Sequence, residues 1–366
     1  MPVLSPLSTL TVLTLLAGCG PHATPMPSEP GSATGPGSAM DSAPVDTAGD
    51  AVADASTGTA HDTASVQPEP DPLAGWTLHV DPASRAAQQA TAWRASRPAD
   101  AARMDVLAAQ PTATWLGGWT RDPEGTVAAR QAAAAAAGQR TVYVVYNIPQ
   151  RDCGGQSAGG TGNAAEYAAW VESVARGLGG HPSIVILEPD ALTLTSCLDA
   201  AGRAGRLAMI RAATERLSQA GARVYVDVGH SAWLPVADAA AQLREAGVDA
   251  AAGFALNVSN FRDDAETLAY AAQVSAAAGG ARFVLDTSRN GLGPKGSEWC
   301  NPPGRAVGLP PDTDPPEAGL DARLWVKVPG ESDGACNGGP PAGTWWPDYA
   351  LGLVQRATRV AARPSR

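Results

Sequence analysis

The chain has 366 residues and a formal net charge of −10, from 26 Lys and Arg against 36 Asp and Glu. No basic patch accompanies this balance, which excludes nucleic acid as a partner held by phosphate neutralisation. Lys295 and Lys327 are the only lysines, so nearly all the positive charge is arginine.

Residues 1–19, MPVLSPLSTLTVLTLLAGC, read as an export signal with an apolar core from Leu10 to Leu16. That core is shorter than the roughly 20 apolar residues a spanning helix needs. Leu16-Ala17-Gly18-Cys19 resembles a bacterial lipoprotein cleavage box, in which Cys19 becomes a lipid-modified N-terminus; membrane contact is expected only through that anchor. Residues 20–72 are rich in Pro, Ser, Ala, Gly, Thr and Asp and contain no Trp, Tyr, Phe, Ile or Leu. Such a segment cannot bury enough surface to offset the entropy of ordering, so it reads as a flexible tether. All ten tryptophans lie beyond Leu73, and residues 73–366 are long enough for one large core.

In that folded part, short apolar runs at 112–116, 142–146, 183–187, 223–228, 252–256, 282–286 and 324–328 read as strands. Ala-rich helical patterns fall at 83–96, 125–137, 164–178, 203–220, 236–246, 263–278 and 348–362. Runs without strict alternation suit parallel strands covered on both faces. The repeated alternation predicts an α/β fold, a (β/α) barrel or close variant with its cleft at the strand C-terminal ends; a doubly wound open sheet is the alternative. Asp152, Asp190, Asp227, Asp286, Lys327 and Asp333 all sit at or just after expected strand ends, where such folds build active sites.

Besides Cys19 there are four cysteines, Cys153, Cys197, Cys300 and Cys336. In an exported chain they read as two disulfides with three possible connectivities. No CxxC or HxxxH spacing favours a metal, and none is expected. The glycine-rich loop 154–162 lacks the GK[ST] ending of a phosphate loop and fits a mobile loop over substrate better. Gly229-His230-Ser231-Ala232-Trp233 resembles a nucleophile elbow, but Trp233 stands where that motif needs glycine, so an esterase using Ser231 is a minor rival. Carboxylates are the richer theme. Acetal cleavage needs a proton donor to the leaving oxygen and a base or held water on the opposite face. Asp190, after Glu188-Pro189 at a buried strand end, suits the acid if burial raises its pKa. Trp115, Trp119, Trp233, Trp299 and Trp325 lie near strand-end loops, where indole could stack on sugar rings or simply fill the core.

Seven blocks in chain order carry a resemblance: VVYNIPQRDCGGQSAGG (144–160), VILEPDAL (185–192), VYVDVGHSAW (224–233), LNVSN (256–260), LDTSRNG (285–291), EWCNPPGRAVG (298–308) and LWVKVPGESDG (324–334). The folded part is similar to glycoside hydrolase family 6, the inverting cellulases. The resemblance implies a distorted β/α barrel of about seven parallel strands, no cofactor, a monomer, and a β-1,4-glucan or cello-oligosaccharide as substrate. It implies Asp190 as general acid, Asp152 as its helper, Asp333 at the position often proposed as base, and Tyr146 as the residue that distorts the sugar ring. Asp227 and His230 match further cleft positions. Trp115, Trp233, Trp299, Asn257, Asn260, Arg305, Lys327 and Glu331 resemble sugar-contacting residues. Ala158 stands where some members hold the catalytic water with a serine, which leaves Ser157 as the water-positioning candidate. The family's disulfides map onto Cys153–Cys197 and Cys300–Cys336. The short stretch between Cys300 and Cys336 suggests an open cleft and internal cutting. An exo-acting cellobiohydrolase and a non-catalytic glucan-binding protein are the alternatives.

Overall fold

The computed structural model describes residues 72–357. The expected export signal, Cys19, almost all of the tether and the end of the last expected helix lie outside the described residues. The helices are α1 (Arg85–Trp93), α2 (Pro98–Ala108), α3 (Pro123–Ala136), α4 (Ala164–Leu178), α5 (Ala200–Gln219), α6 (Val236–Glu245), α7 (Asp264–Ala277) and α8 (Pro347–Gln355). The strands are β1 (Thr114–Leu116), β2 (Thr141–Val145), β3 (Ser183–Leu187), β4 (Ala222–Asp227), β5 (Gly253–Leu256), β6 (Arg282–Asp286) and β7 (Leu320–Leu324).

All seven strands are parallel and pair in chain order. A doubly wound sheet reverses its strand order at a switch point. An order that never reverses turns every crossover the same way and curls the sheet into a barrel. Closure is incomplete: among the described residues no ladder joins β1 to β7. The seam is bridged instead by Ala113 N–H to the Trp325 carbonyl at 3.1 Å and Trp115 Nε1–H to the Val326 carbonyl at 2.8 Å.

The two-residue period of each strand sorts its side chains into two cores. Val142, Val144, Ile184, Ile186, Tyr225, Ala255, Val284, Ala322 and Leu324 point inward and fill the barrel. Tyr143, Val145, Val185, Leu187, Val224, Val226, Phe254, Leu256, Phe283 and Leu285 pack outward with the buried residues of α3 to α7. Several helices start where side chains cap them. Asn163 accepts from Glu166 N–H ahead of α4 while Glu166 reaches back to Gly162 N–H, and Asp263 accepts from Glu266 N–H ahead of α7.

Two elements differ from expectation. β7 is Leu320–Leu324, so the expected strand at 324–328 meets it at one residue only. Asp321 and Arg323 disguise β7 as a polar stretch, yet both are buried and paired: Tyr225 Oη donates to Asp321 at 2.6 Å, Arg282 ion-pairs with Asp321, and Arg323 bonds Glu317 and Asp264. The apolar run after it leaves the sheet because the Asp286 carboxylate takes the N–H groups of Val326 (3.2 Å) and Lys327 (3.0 Å). The second difference is α2, which sequence reading passed over. Pro98 opens it, and Ala101, Met104 and Leu107 bury one face.

Candidate active site

The loops that follow the strands enclose a cleft of about 1350 Å³. Tyr146 follows β2, and the loop beyond it brings Asp152 and Ser157. Asp190 follows β3, His230 and Trp233 follow β4, Asn260 follows β5, and Lys327, Glu331 and Asp333 follow β7; all of them line the cleft, with Trp115 and Trp299.

A set of buried carboxylates frames this opening by accepting backbone N–H groups. Glu188 accepts from Asn147 (2.9 Å) and Ile148 (3.2 Å). Asp227 accepts from Asp190 (2.9 Å) and Gly229 (3.1 Å). Asp286 accepts from Ser259 and Ser288 as well as from Val326 and Lys327. Each holds loops that leave neighbouring strands. Burial, first of all, raises the pKa of all three, to about 7 for Glu188.

Asp190 and Asp152 both sit in the left-handed region, at φ 68° and 59°, as do Glu188 and Cys153. Non-glycine residues persist there only when their surroundings hold them, and such strain gathers at functional sites. Burial, then the negative charges of Asp152 and Asp333, push the Asp190 carboxyl up to about 7, with Lys327 opposing. Asp152 accepts the Ser157 backbone N–H at 2.6 Å. A Cβ at Gly155 would meet the Asp152 carboxylate at 2.6 Å, so any larger residue there would have to push that carboxylate aside. Arg151 ties the same loop down: Nη1 donates to the Tyr146 carbonyl (2.6 Å) and Nε to the Ser157 carbonyl (2.8 Å), while the guanidinium lies 4.5 Å from the Tyr146 ring centroid. Tyr146 also meets Trp115 edge to face at 5.4 Å. Burial, then the charges of Asp190 and Asp152, raise its phenol so that it stays neutral.

Asp333 has the opposite environment. Arg289, fully buried, donates to both of its oxygens; Lys327 Nζ stands 3.3 Å away, and Asn301 N–H donates at 3.0 Å. Burial alone would raise this carboxyl, but Arg289 and then Lys327 outweigh it and hold it below the usual range. Arg289 is a functional residue that sequence reading missed, because its partners Asp333 and Ser259 lie 44 and 30 residues away.

Not every expected residue faces the cleft. Asp227, Asn257 and Arg305 are set behind its lining. Asp227 accepts both backbone N–H groups through Oδ1, while its buried Oδ2 has no hydrogen-bond partner among the described residues. Asn257 is 1% exposed and bonds the Arg262 backbone and the Asp286 carbonyl. Arg305 donates to the carbonyls of Leu292 and Gly293. Trp325 is 1% exposed, donates to the Leu309 carbonyl and belongs to the core beside α1 and α8. Trp119 and Trp299 are instead exposed on the cleft. His230 packs 5.1 Å from Trp233, and burial, then Arg262, pushes its pKa down to about 4, so it is neutral near pH 7. Ser231 donates to Glu266 at 2.6 Å, not to a histidine, which removes the activating base an esterase would need. Both disulfides form as the resemblance implied, Cys153–Cys197 and Cys300–Cys336, with Cα separations of 5.4 and 6.2 Å.

A family model described as glycosyl hydrolases family 6 matches residues 73–357. The chain belongs to this family. Endoglucanase A of Cellulomonas fimi is 47% identical over 290 residues, which are 79% of this chain and 62% of that protein. Endoglucanase A of Thermobispora bispora is 43% identical over 298 residues, 79% of this chain and 64% of that protein. The chain thus spans a little under two thirds of the length of these relatives. A solved endoglucanase of Mycobacterium tuberculosis, in complex with methyl-cellobiosyl-4-deoxy-4-thio-β-D-cellobioside, superposes with a TM-score of 0.74 at 42% identity, covering 78% of this chain and 99% of that one. The family 6 chain therefore shares the distorted barrel of its solved relatives.

Proposed function

We propose that residues 73–366 are the catalytic domain of an endo-β-1,4-glucanase that cleaves by single displacement with inversion. One observation carries this reading: two carboxyls on one cleft are driven apart, Asp190 up to about 7 and Asp333 below the usual range. A pair separated in this way supplies an acid that is protonated near neutrality and a carboxylate that stays ionised. Asp190 gives its proton to the glycosidic oxygen as the bond to C1 breaks. Water adds to C1 from the opposite face, and the proton it loses passes towards Asp152. The Asp152 charge favours the protonated form of Asp190 beforehand and receives the proton afterwards. Asp333, engaged by two cations, contributes a fixed negative charge to the positive sugar ring of the transition state. Tyr146 presses on the ring at the scissile bond, Ser157 orients the water, and Trp115, Trp233, Trp299, His230, Asn260, Lys327 and Glu331 contact the glucan. The endo mode is supported by the relatives named endoglucanases and by the short interval between Cys300 and Cys336.

Proton NMR of cellohexaose during digestion tests this reading. Early α-anomeric reducing ends in internal fragments are expected. Initial β-anomers, or cellobiose alone from one end, would overturn inversion or the endo mode respectively. Two disulfides suit an oxidising compartment, and we assign the chain to the cell exterior, tethered by residues 20–72 to a lipid on Cys19. Partition into a detergent phase, lost in Cys19→Ser, is the expected behaviour; equal partition of both forms would remove the anchor.

A further inference from the structure

Arg206, on α5, is 2% exposed and spends its guanidinium on backbone carbonyls. Nη1 donates to Leu194 (2.8 Å) and Ala191 (3.3 Å), and Nη2 to Pro149 (3.0 Å) and Gln150 (3.0 Å). One pair belongs to the loop that carries Asp190 and the other to the loop that carries Asp152. A planar, always-charged fork has a fixed geometry that four separate water or side-chain donors would lack. The segments it grips include non-glycine residues in left-handed backbone, Gln150 (φ 53°), Asp152 (59°), Cys153 (45°) and Asp190 (68°). Such conformations hold only when the surroundings over-determine them. The Cys153–Cys197 disulfide spans the same two loops but fixes only one separation. Glu188 completes the arrangement from the opposite polarity. It takes the N–H groups of Asn147 and Ile148, just ahead of the carbonyls that Arg206 takes, and its charge favours that of the guanidinium.

We propose that Arg206 is a positioning residue that sets Asp152 against Asp190, without touching substrate itself. The inference rests on the glucanase reading for its kinetic consequence and on geometry for the rest. Asp152 supplies one of the two negative charges that favour the protonated form of Asp190. Loosening the loops weakens that influence, so Asp190 should lose its proton at lower pH. A residue that merely supported the fold would lower the amount of folded protein and leave that titration alone.

The test uses the full chain as wild type, Arg206→Met, Arg206→Lys and, as a control, Arg203→Met on the exposed face of the same helix. Near-UV circular dichroism gives the folded fraction, carboxyl carbon NMR follows the titration of Asp190, and kcat and KM are measured on cellohexaose between pH 4 and 9. In Arg206→Met, kcat per folded molecule should fall roughly 100-fold, the scale expected for a reacting group misplaced by about 1 Å. KM should stay within about twofold, and both the Asp190 titration and the alkaline limb should move to lower pH. Arg206→Lys should recover part of the loss, and Arg203→Met should match wild type. A folded Arg206→Met with wild-type kcat and titration would overturn the proposal. Should that variant not fold, a folded Arg206→Lys with both properties unchanged overturns it equally. If wild type does not cleave cellohexaose, the glucanase reading fails, while the Asp190 titration in the variants still decides the positioning role.

Discussion

Arg289 donates through a single guanidinium nitrogen to both oxygens of Asp333, at 2.9 and 2.8 Å, and neither side chain is open to bulk water. A carboxylate so engaged cannot readily take a proton from water. It serves better as a permanent charge, which is the role assigned to it above. The pair also makes the region costly to edit, because removing one buried partner leaves the other uncompensated.

Arg289→Met should therefore cost about 3–5 kcal/mol of stability at pH 7, or roughly 10 °C in Tm. Asp333 has a depressed pKa, so its contribution is present above the ordinary carboxylate pKa and is lost as pH falls through the folded-state value. The gap between wild type and Arg289→Met should accordingly narrow from pH 5 to pH 3 in denaturant titrations. A gap independent of pH would mean that the loss is one of packing alone.

The acid must carry its proton, so kcat/KM should fall as pH rises through about 7, where Asp190 ionises. Asp152→Asn removes a charge that favours the protonated acid, and its residual activity should decline at lower pH than in wild type. Lys327→Met removes the opposing charge and should move the alkaline limb upward. These opposite displacements are the content of the prediction. Profiles that shift together, or not at all, would assign the limb to another group.

Strand ends could be read from the sequence far better than the direction in which a side chain turns. Glu188 and Asp190 flank one proline, and nothing local tells which of the two faces the cleft. In the fold Glu188 turns back to bind Asn147 and Ile148 N–H, while Asp190 turns into the cleft. Asp227 and Asn257 likewise bond residues at the ends of neighbouring strands, which no local pattern announces. Arg206 and Arg289 were invisible as site-builders. Nothing local marks an arginine whose acceptors are 12 to 57 residues away, as for Arg206, or 44 residues away, as for Arg289. β7 escaped because Asp321 and Arg323 are neutralised by tertiary contacts that no local pattern announces. The alternation of strands and helices, by contrast, followed from period, while cleft roles for Trp115, Trp233 and Trp299 came only from the family resemblance.

The raised pKa of Asp190 also bears on stability. A carboxyl that ionises less readily when folded stabilises fully below its unfolded pKa near 3.9 and loses that contribution as pH rises towards about 7. Asp190→Asn keeps the shape without the charge. It should be more stable than wild type by about 1–2 kcal/mol at pH 8 and nearly equal to it at pH 4, while losing most activity. Thermal melts at the two pH values are sufficient. A destabilised Asp190→Asn at pH 8 would show that the carboxylate is held by favourable contacts and is not kept waiting for its proton.

Trp299 and Trp325 offer the sharpest contrast between an aromatic kept for a ligand and one kept for the fold. Trp299 is 52% exposed on the cleft, whereas Trp325 is 1% exposed in the core beside α1 and α8. Half-exposed indole gains little from folding, so Trp299→Ala should leave Tm within about 2 °C. Its loss should raise KM on cellohexaose roughly tenfold, about 1.4 kcal/mol of stacking, with kcat within twofold. Trp325→Ala should cost about 3–5 kcal/mol of stability through the cavity it leaves, with KM of the folded fraction close to wild type. If Trp299→Ala instead destabilised the fold without moving KM, its exposure on the cleft would have no binding role, and the glucan path would have to run along Trp115, Trp119 and Trp233.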